Sequence, residues 1–316
     1  MTSIAVVILT YNEAHHIARA LASVAPFATE VFVIDSGSTD QTRQIAEAAG
    51  ARVLVHPFVN QAQQFNWALD HAPIDSDWIL RLDADEIIEP DLAEALALRL
   101  PTLAPDVTGV ILNRKHIFLG RWIRHGGRYP LPMLRLFRRG AARSEDRWMD
   151  EHLVLTSGRA VVIDGGFADH NLGDLTYFIA KHNAYATREA VEVINDRMGL
   201  FTRTDTHAGL SASHAVALKR GVKEQIYNRL PFGLGPLGYF LYRYVFQLGF
   251  LDGREGAIYH GLQGLWYRFL VEAKVEELKR GLAGSTGAEA LAKLAALTGL
   301  AVGGLGTGQT QGSDPP

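Results

Sequence analysis

The chain contains no cysteine. That absence removes disulfides, thiolate zinc sites and cysteine nucleophiles together, and it is compatible with a reducing cytosol. An overall basic field is also missing. Thirty-one Lys and Arg stand against 34 Asp and Glu, a net charge of −3, so a dedicated nucleic-acid binder is not expected. No G-x-G-x-x-G follows the first apolar run, which disfavours a dinucleotide-binding dehydrogenase. That run begins at Ile4 with no basic segment and cleavage site ahead of it, so no signal peptide is expected. Uninterrupted hydrophobic stretches are scarce as well. Residues 230–251 approach the roughly 20 needed to cross a bilayer, but Pro231, Pro236 and several glycines break them, and Arg243 and Gln247 sit inside.

What is present is a series of strand-like runs that end in polar clusters. Ile4-Ala5-Val6-Val7-Ile8-Leu9 is an unbroken apolar run of the kind covered on both faces of a parallel sheet. It stops at Thr10-Tyr11-Asn12-Glu13, where Asn12 is placed to cap a helix carrying Ile17, Leu21 and Val24. Val31 to Asp35 forms a second run and breaks into Ser36-Gly37-Ser38-Thr39-Asp40. A helix with Ile45, Ala46 and Ala49 inward follows, then a third strand at 52–55 and a helix at 61–71. Strands alternating with helices in short units predict a parallel, right-handed α/β sheet. A further run, Trp78-Ile79-Leu80-Arg81-Leu82, ends in Asp83-Ala84-Asp85-Glu86. At the carboxyl end of a strand, two acids one residue apart can share a hard cation such as Mg²⁺ or Mn²⁺, with phosphate oxygens completing the octahedron. The plainer reading of the triplet alone is a solvated turn. In open α/β sheets ligands bind outside the carboxyl ends of the strands, and Thr10–Glu13, Asp35–Asp40 and Asp83–Asp85 all fall at such ends.

Val-Ile-Leu-Thr-Tyr-Asn-Glu, Val-Ile-Asp-Ser-Gly-Ser-Thr-Asp and Leu-Asp-Ala-Asp-Glu, in this order and spacing, resemble glycosyltransferase family 2 over roughly the first 90 residues. More loosely, Asp150-Glu151-His152-Leu153, His170, and Tyr177 through Lys181-His182-Asn183 to Tyr185 are similar to the branch that builds lipopolysaccharide core and related surface glycans. Gly249-Phe250-Leu251-Asp252-Gly253 echoes that branch faintly. The resemblance implies a GT-A fold: a Rossmann-like, mixed and mostly parallel sheet flanked by helices, here with a C-terminal helical extension. It also implies inverting transfer of a sugar from a nucleotide-diphospho-sugar, most simply a UDP-sugar, assisted by Mg²⁺ or Mn²⁺.

Carried onto this sequence, the resemblance gives Thr10, Tyr11 and Glu13 contacts to base and ribose, and Asp35 the selection of the base. Ser38 and Asn66 stand beside the nucleotide, although Gln63 and Gln64 precede Asn66 where a basic residue is expected. Asp83 faces the ribose or a metal-bound water, and Asp85 ligates the metal. Glu86 is expected to face solvent or cap the following helix. His170 either completes the metal shell or is a satisfied structural residue. Inversion needs one base to take the acceptor's proton. Glu151 is the first candidate and Asp150 the second, with an ion pair to Arg147 or Arg139 as the structural alternative. A nucleotidyltransferase is disfavoured because Thr10–Glu13 supplies neither glycine nor Lys. A non-catalytic glycan- or lipid-binding relative would be expected to lack one of Asp83, Asp85 and Glu151.

The remaining patterns concern organisation and partners. Residues 113–147 hold ten Lys or Arg against Glu145 and Asp146, interleaved with Phe118, Trp122 and Tyr129 and followed by Trp148. This reads as a solvated face or a rim for anionic substrate or lipid. A helix is expected from Gly173 to about Asp196, and another over 256–280 with Leu262, Leu265, Trp266, Phe269 and Leu270 as its apolar positions. Residues 230–251, preceded by Lys219, Arg220, Lys223 and Arg229, suit an interfacial segment, an internal packing helix or a homodimer contact. Three parts follow: a catalytic domain at 1–195, an aromatic-rich helical extension at 196–280 and a Gly/Ala-rich tail at 281–316, disordered from about Gly303. The expected location is cytoplasmic, peripheral at the inner face of the cytoplasmic membrane. The expected partners are a nucleotide-sugar donor and a lipid-linked saccharide acceptor, with no nucleic acid.

Overall fold

A computed structural model describes residues 2–145, 152–201 and 231–300. The chain divides into two units between Leu172 and Gly173. In the first unit the elements run β1 (Ile4–Thr10), α1 (Ile17–Val24), β2 (Glu30–Asp35), α2 (Thr42–Ala48), β3 (Arg52–Val55), α3 (Gln61–His71), β4 (Trp78–Asp83), β5 (Glu86–Ile88) and α4 (Pro90–Arg99). They continue through β6 (Val107–Phe118), β7 (Arg121–Ile123), β8 (Pro132–Arg138), β9 (Ala142–Ser144), β10 (Leu153–Leu155), β11 (Arg159–Val162) and β12 (Phe167–Asp169).

Among the described residues ten strands form one sheet in the order β3-β2-β1-β4-β8-β6-β12-β5, with β7 and β11 also on β6, while β9 and β10 pair separately. The β3-β2-β1-β4 half is parallel, as the alternating sequence predicts. β8 then runs antiparallel to both β4 and β6. The period of two decides which side chain enters which core layer. Ile4, Val6 and Ile8 of β1, Val33 of β2, and Trp78, Leu80 and Leu82 of β4 join α1 and α4 on one face. Ala5, Val7, Phe32, Ile34 and Ile79 join Phe65 and Ala68 of α3 on the other. Both faces are covered, so the strands read as continuous apolar runs rather than alternating ones.

Asn12 does not cap α1, whose N-cap residue is His16 without a side-chain cap. It adopts a left-handed backbone (φ 54°), a conformation asparagine tolerates better than most residues. Its Oδ1 accepts from the Thr39 N–H at 2.9 Å, which ties the end of β1 to the loop after β2.

The second unit is helical: α5 (Leu175–Met198), α6 (Leu234–Leu241), α7 (Gly253–Tyr259), α8 (Tyr267–Gly281) and α9 (Gly287–Thr298). Asp174 caps α5 by accepting from the Tyr177 N–H at 2.8 Å, and Gly199 ends it in the left-handed region (φ 62°). On α5, His182 stacks on Phe178 with ring centroids 3.8 Å apart and meets Tyr185 and Tyr267 edge-on. The helix expected over 256–280 is interrupted by a π-helical stretch at His260–Trp266, where Gly261 and Gly264 weaken a regular helix. Of the expected apolar positions, Trp266 and Leu270 lie against the core of this unit. Tyr267, Val271, Val275 and Leu278 pack against Ala186, Ala190 and Ile194 of α5 and Leu291 and Leu294 of α9, whereas Phe269 is exposed. Gly249 is required by close approach, since a Cβ there would lie 2.7 Å from the His260 ring. The Gly/Ala-rich stretch is helical where α9 buries Ala290, Leu291 and Leu294. No described helix is long and apolar enough to cross a membrane.

Candidate active site

Register places the polar clusters side by side. In the parallel pairing Thr10 lies opposite Asp35 and Leu9 opposite Asp83, so β2, β1 and β4 present their carboxyl ends along one edge. Each polar group there has a specific local cause.

The β2 end is built around Asp35, which is fully buried. Its Oδ1 accepts from the Gly37 and Ser38 N–H groups at 3.0 and 2.9 Å. Its Oδ2 accepts from the Ser38 hydroxyl and from Thr10 Oγ1, the latter at 3.3 Å. Ser38 Oγ in turn accepts from the Asn12 N–H at 2.9 Å. Asp40 takes the Ala14 N–H, the Thr42 N–H and the Thr42 hydroxyl. Burial pushes the Asp40 carboxyl up, but the Thr42 and Ala14 donors outweigh it and hold the group below the usual carboxylate range. The result is a rigid loop held by short-range hydrogen bonds. Tyr11 projects from its rim, 40% exposed, and Glu13 pairs with His16 Nδ1 at 2.6 Å.

The β4 end is built differently. Asp83, one third exposed, receives Arg135 Nη2 at 3.1 Å and lies 3.8 Å from Arg81 Nε. Arg135, on β8, also donates to Glu86 Oε1 at 2.6 Å. Glu86 Oε2 accepts the Asp83 N–H at 2.9 Å. Glu86 is therefore neither solvent-facing nor a helix cap, since it is 1% exposed and bridges the Asp83 main chain to Arg135. Arg114 adds a second cation, 3.8 Å from Glu86 and 3.6 Å from Asp169. Burial pushes Asp83 up, but Arg135 and Arg81 outweigh it and hold its carboxyl below the usual range. The same burial, opposed by Arg135 and reinforced by the Asp83 charge, pushes Glu86 up to about 8. Two carboxylates share one buried guanidinium, and the more exposed acid keeps the charge.

Asp85 is half-buried. Its Oδ2 accepts from Asn171 Nδ2 at 3.1 Å, and its main-chain oxygen takes the His170 N–H at 2.9 Å. The segment after β12 is thus strapped to the Asp-Ala-Asp turn and held from the other side by α1. Arg19 donates to the His170 carbonyl at 2.7 Å, and His16 Nε2 accepts the Leu172 N–H at 2.9 Å. Burial and the Arg19 charge hold His170 below the ordinary histidine value, which keeps its ring neutral at neutral pH.

Most of the expected residues therefore share this edge: Thr10, Tyr11, Glu13, Asp35, Ser38, Asp83, Asp85 and, through the strap, His170. Asn66 is engaged elsewhere. Its carboxamide donates to the Ser144 carbonyl at 2.9 Å and accepts the Ser144 N–H at 3.0 Å. Asp150 and Glu151 lie outside the described residues. Arg81, Arg114 and Arg135 were not anticipated as site residues. The available signal was a cation set among apolar neighbours, as in Leu80-Arg81-Leu82 and Leu134-Arg135-Leu136, because a buried charge requires a partner.

Among the described residues no three His, Asp or Glu side chains form a ready-made metal cage. The donor set still fits Mg²⁺ or Mn²⁺. Such ions take one or two protein carboxylates and complete their shell with phosphate oxygens and water, and Asp85 with the partly exposed Asp83 supplies hard oxygens of that kind.

The chain matches the family model "Glycosyl transferase family 2" over residues 5–193. An uncharacterized glycosyltransferase of Rickettsia felis is 43% identical over 96 residues, 30% of this chain and 33% of the relative. The match thus spans about a third of that relative's length. A lipopolysaccharide core biosynthesis glycosyltransferase of Rhizobium meliloti is 26% identical over 196 residues, 58% of this chain and 68% of the relative. Among solved structures, glucosyl-3-phosphoglycerate synthase from Mycobacterium tuberculosis, crystallised with Mn²⁺ and UDP-glucose, is 19% identical. It covers 63% of this chain and 79% of that chain, with a TM-score of 0.41. With strand-end motifs and a matched model that extends over more than half its length, the chain belongs to glycosyltransferase family 2 and has that family's GT-A fold.

Proposed function

We propose that this chain moves a sugar, with inversion at the anomeric carbon, from a nucleotide-diphospho-sugar to a hydroxyl of a lipid-linked or polysaccharide precursor. The observation that carries this reading is the adjacency of the β2, β1 and β4 carboxyl ends, with the Asp83–Asp85 acids beside the Thr10–Glu13 and Asp35–Asp40 loops. Thr10, Tyr11 and Glu13 face base and ribose, while Asp35 and Ser38 act through the loop they hold. Asp85, with Asp83 and His170 as further donors, would hold Mg²⁺ or Mn²⁺. When bound, the ion supplies Lewis-acid neutralisation of the departing diphosphate. Glu151, or failing it Asp150, takes the acceptor hydroxyl's proton. A UDP-sugar is the simplest donor. The surface-glycan acceptor class is supported by the similarity to the Rhizobium meliloti core glycosyltransferase.

The catalytic domain is placed at 1–195, with 196–280 as an extension and 281–316 as a tail. The extension would rest on the inner face of the cytoplasmic membrane. Leu234, Leu237, Leu241 and Val245 recur at helical spacing and are all exposed, as are Tyr242 and Phe246, the makings of an interfacial apolar face. Flotation with anionic vesicles checks this, and a Phe246→Glu protein that floats as well as the wild type would remove the membrane role.

The deciding experiment is a thermal-shift panel of UDP, GDP, dTDP and CMP with Mn²⁺, Mg²⁺ or EDTA. A ligand at a hundred times its dissociation constant stabilises the fold by about 2.7 kcal/mol. Metal-dependent stabilisation by one nucleoside diphosphate, lost in Asp85→Ala, supports the reading. No shift with any nucleotide removes it. Glu151→Gln should retain donor binding and stop transfer, because general-base contributions run to ~10²–10⁴-fold.

A further inference from the structure

Beside the Asp35 loop stands a second polar cluster to which the proposed chemistry assigns no role. Gln64, on α3, is 1% exposed. Its Oε1 lies 2.7 Å from His56 Nδ1, and its Nε2 donates to the His56 carbonyl and to Ser36 Oγ, both at 3.1 Å. One buried carboxamide therefore holds the residue after β2 and the residue after β3 together. The His56 N–H also donates to the Asp35 carbonyl at 3.0 Å, which fixes the main chain between them. The His56 ring stacks on Trp67 with centroids 4.3 Å apart, and Trp67 stacks on His71 at 4.7 Å.

This arrangement sets hydrogen-bond polarity. An amide oxygen can only accept, so His56 Nδ1 carries a proton, and in the neutral ring it is the other nitrogen, Nε2, that presents a lone pair. The Ser36 oxygen accepts from Gln64, leaving its O–H to donate. One carboxamide thus fixes an acceptor on His56 and a donor on Ser36, the residues that follow β3 and β2. Asp35 lacks the capacity to serve as that acceptor. A carboxylate has about four lone-pair sites, and Gly37, Ser38 twice and Thr10 already occupy them.

We propose that His56 Nε2, oriented by Gln64 and paired with the Ser36 hydroxyl, reads a ring N–H beside a carbonyl on the donor's base. Uracil, thymine and guanine carry that edge, and cytosine and adenine do not. The inference rests on the reading of this edge as a nucleotide-sugar site. It names His56 as the determinant of base specificity and makes Gln64 a positioning residue, which fixes the ring's proton without touching ligand.

The test uses calorimetry with Mn²⁺ on the full chain, comparing UDP, CDP and N3-methyl-UDP, whose ring N–H is blocked. The wild type should bind UDP about tenfold more tightly than the other two, the size of one well-placed hydrogen bond to a polar group otherwise left unpaired. His56→Phe keeps a flat ring against Trp67 and deletes the acceptor. It should bind all three ligands within about twofold, its loss confined to UDP. Undiminished preference for UDP in His56→Phe, or equal binding of UDP and N3-methyl-UDP by the wild type, overturns the assignment while leaving the nucleotide site standing. The methylated ligand needs no variant, so a folding defect in His56→Phe cannot mask that answer. Failure of the wild type to bind any nucleoside diphosphate overturns both the assignment and the reading beneath it.

Discussion

The ends of β2 and β4 flank the same strand, yet they keep their acids by opposite means. Asp35 is fully buried and bound by neutral donors, with Arg43 no nearer than 3.8 Å and itself 44% exposed along its side chain. Asp83 and Glu86 are bound by guanidinium groups, above all the buried Arg135. Apart from Thr10, the donors to Asp35 lie within three residues of it. Arg135 lies 49 residues from Glu86 and 52 from Asp83. A carboxylate held by its own loop depends on little else. One held by a distant cation shares the fate of that cation's strand, and the difference can be measured.

The largest effect should come from Arg135→Met. It removes the buried cation that Glu86 and the Asp83 carboxylate share and leaves them only Arg114 and Arg81 at 3.8 Å, a loss expected to cost about 3–5 kcal/mol and visible as a lowered urea midpoint. Pairing it with Glu86→Gln should recover part of that loss, because the two side chains form one interacting unit. Asp35→Asn should cost less, about 1.5–3 kcal/mol, the range of hydrogen bonds to a charged group. Its oxygen can keep the Gly37 and Ser38 N–H groups, while its NH₂ would require the Ser38 and Thr10 hydroxyls to turn from donating to accepting. If Asp35→Asn proves costlier than Arg135→Met, the loop depends on its acid more than the guanidinium cluster does, and the contrast fails.

The same distances explain what could be read from the sequence. The three strand-end clusters were legible because each is contiguous: an apolar run sets the strand, and the polar residues after it are its loop. The parallel half of the sheet followed from the alternation of runs with helices. Glu86 was misjudged because its environment is made by β8, β6 and β12, which no local pattern connects to it. Asn12 was misjudged for a related reason, since its partner Thr39 belongs to the neighbouring loop. In the second unit the expected Trp266 and Leu270 do pack on the core while Phe269 is exposed, and the π-helical stretch at His260–Trp266 is not something apolar spacing reveals.

The pH dependence should separate Asp40 from Glu86 by sign, with Asp83 on the same side as Asp40. Asp40, in the β2 loop, has a folded value below its ordinary one. The stability it contributes is present above the ordinary carboxylate range and is lost as pH falls through the folded value. Glu86 is raised to about 8, so the folded state holds a proton that the unfolded state has released, and its contribution is lost as pH rises from about 4.5 towards 8. Each limb is bounded at about 1.4 kcal/mol per pH unit for one proton. Urea midpoints at pH 3, 5, 7 and 8.5 should show both limbs. Asp40→Asn should reduce only the acid limb, to which Glu30, Asp70, Asp77 and Asp83 also contribute, and Glu86→Gln only the alkaline one. An alkaline limb unchanged in Glu86→Gln would assign that titration elsewhere.

The smallest effect sharpens the comparison most, because it holds the chemistry constant and changes only the surroundings. Arg143 on β9 meets Asp70 through two bonds of 2.8 Å, a two-pronged geometry at least as good as that of Arg135 on Glu86. The guanidinium donors lead in holding the Asp70 carboxyl below the ordinary value. Yet both side chains are about half exposed, 48% and 49%, so water can solvate whichever partner is left. Arg143→Ala should therefore cost only about 0.2–1 kcal/mol. That difference should shrink further in 1 M salt, where the screening length falls to about 3 Å. Urea midpoints at low and high salt measure both effects. A cost near that of Arg135→Met would mean that pairing geometry sets the value of these cations. A cost several-fold smaller would assign the difference to burial, which makes Arg135 indispensable to the β4 end and Arg143 nearly dispensable to β9.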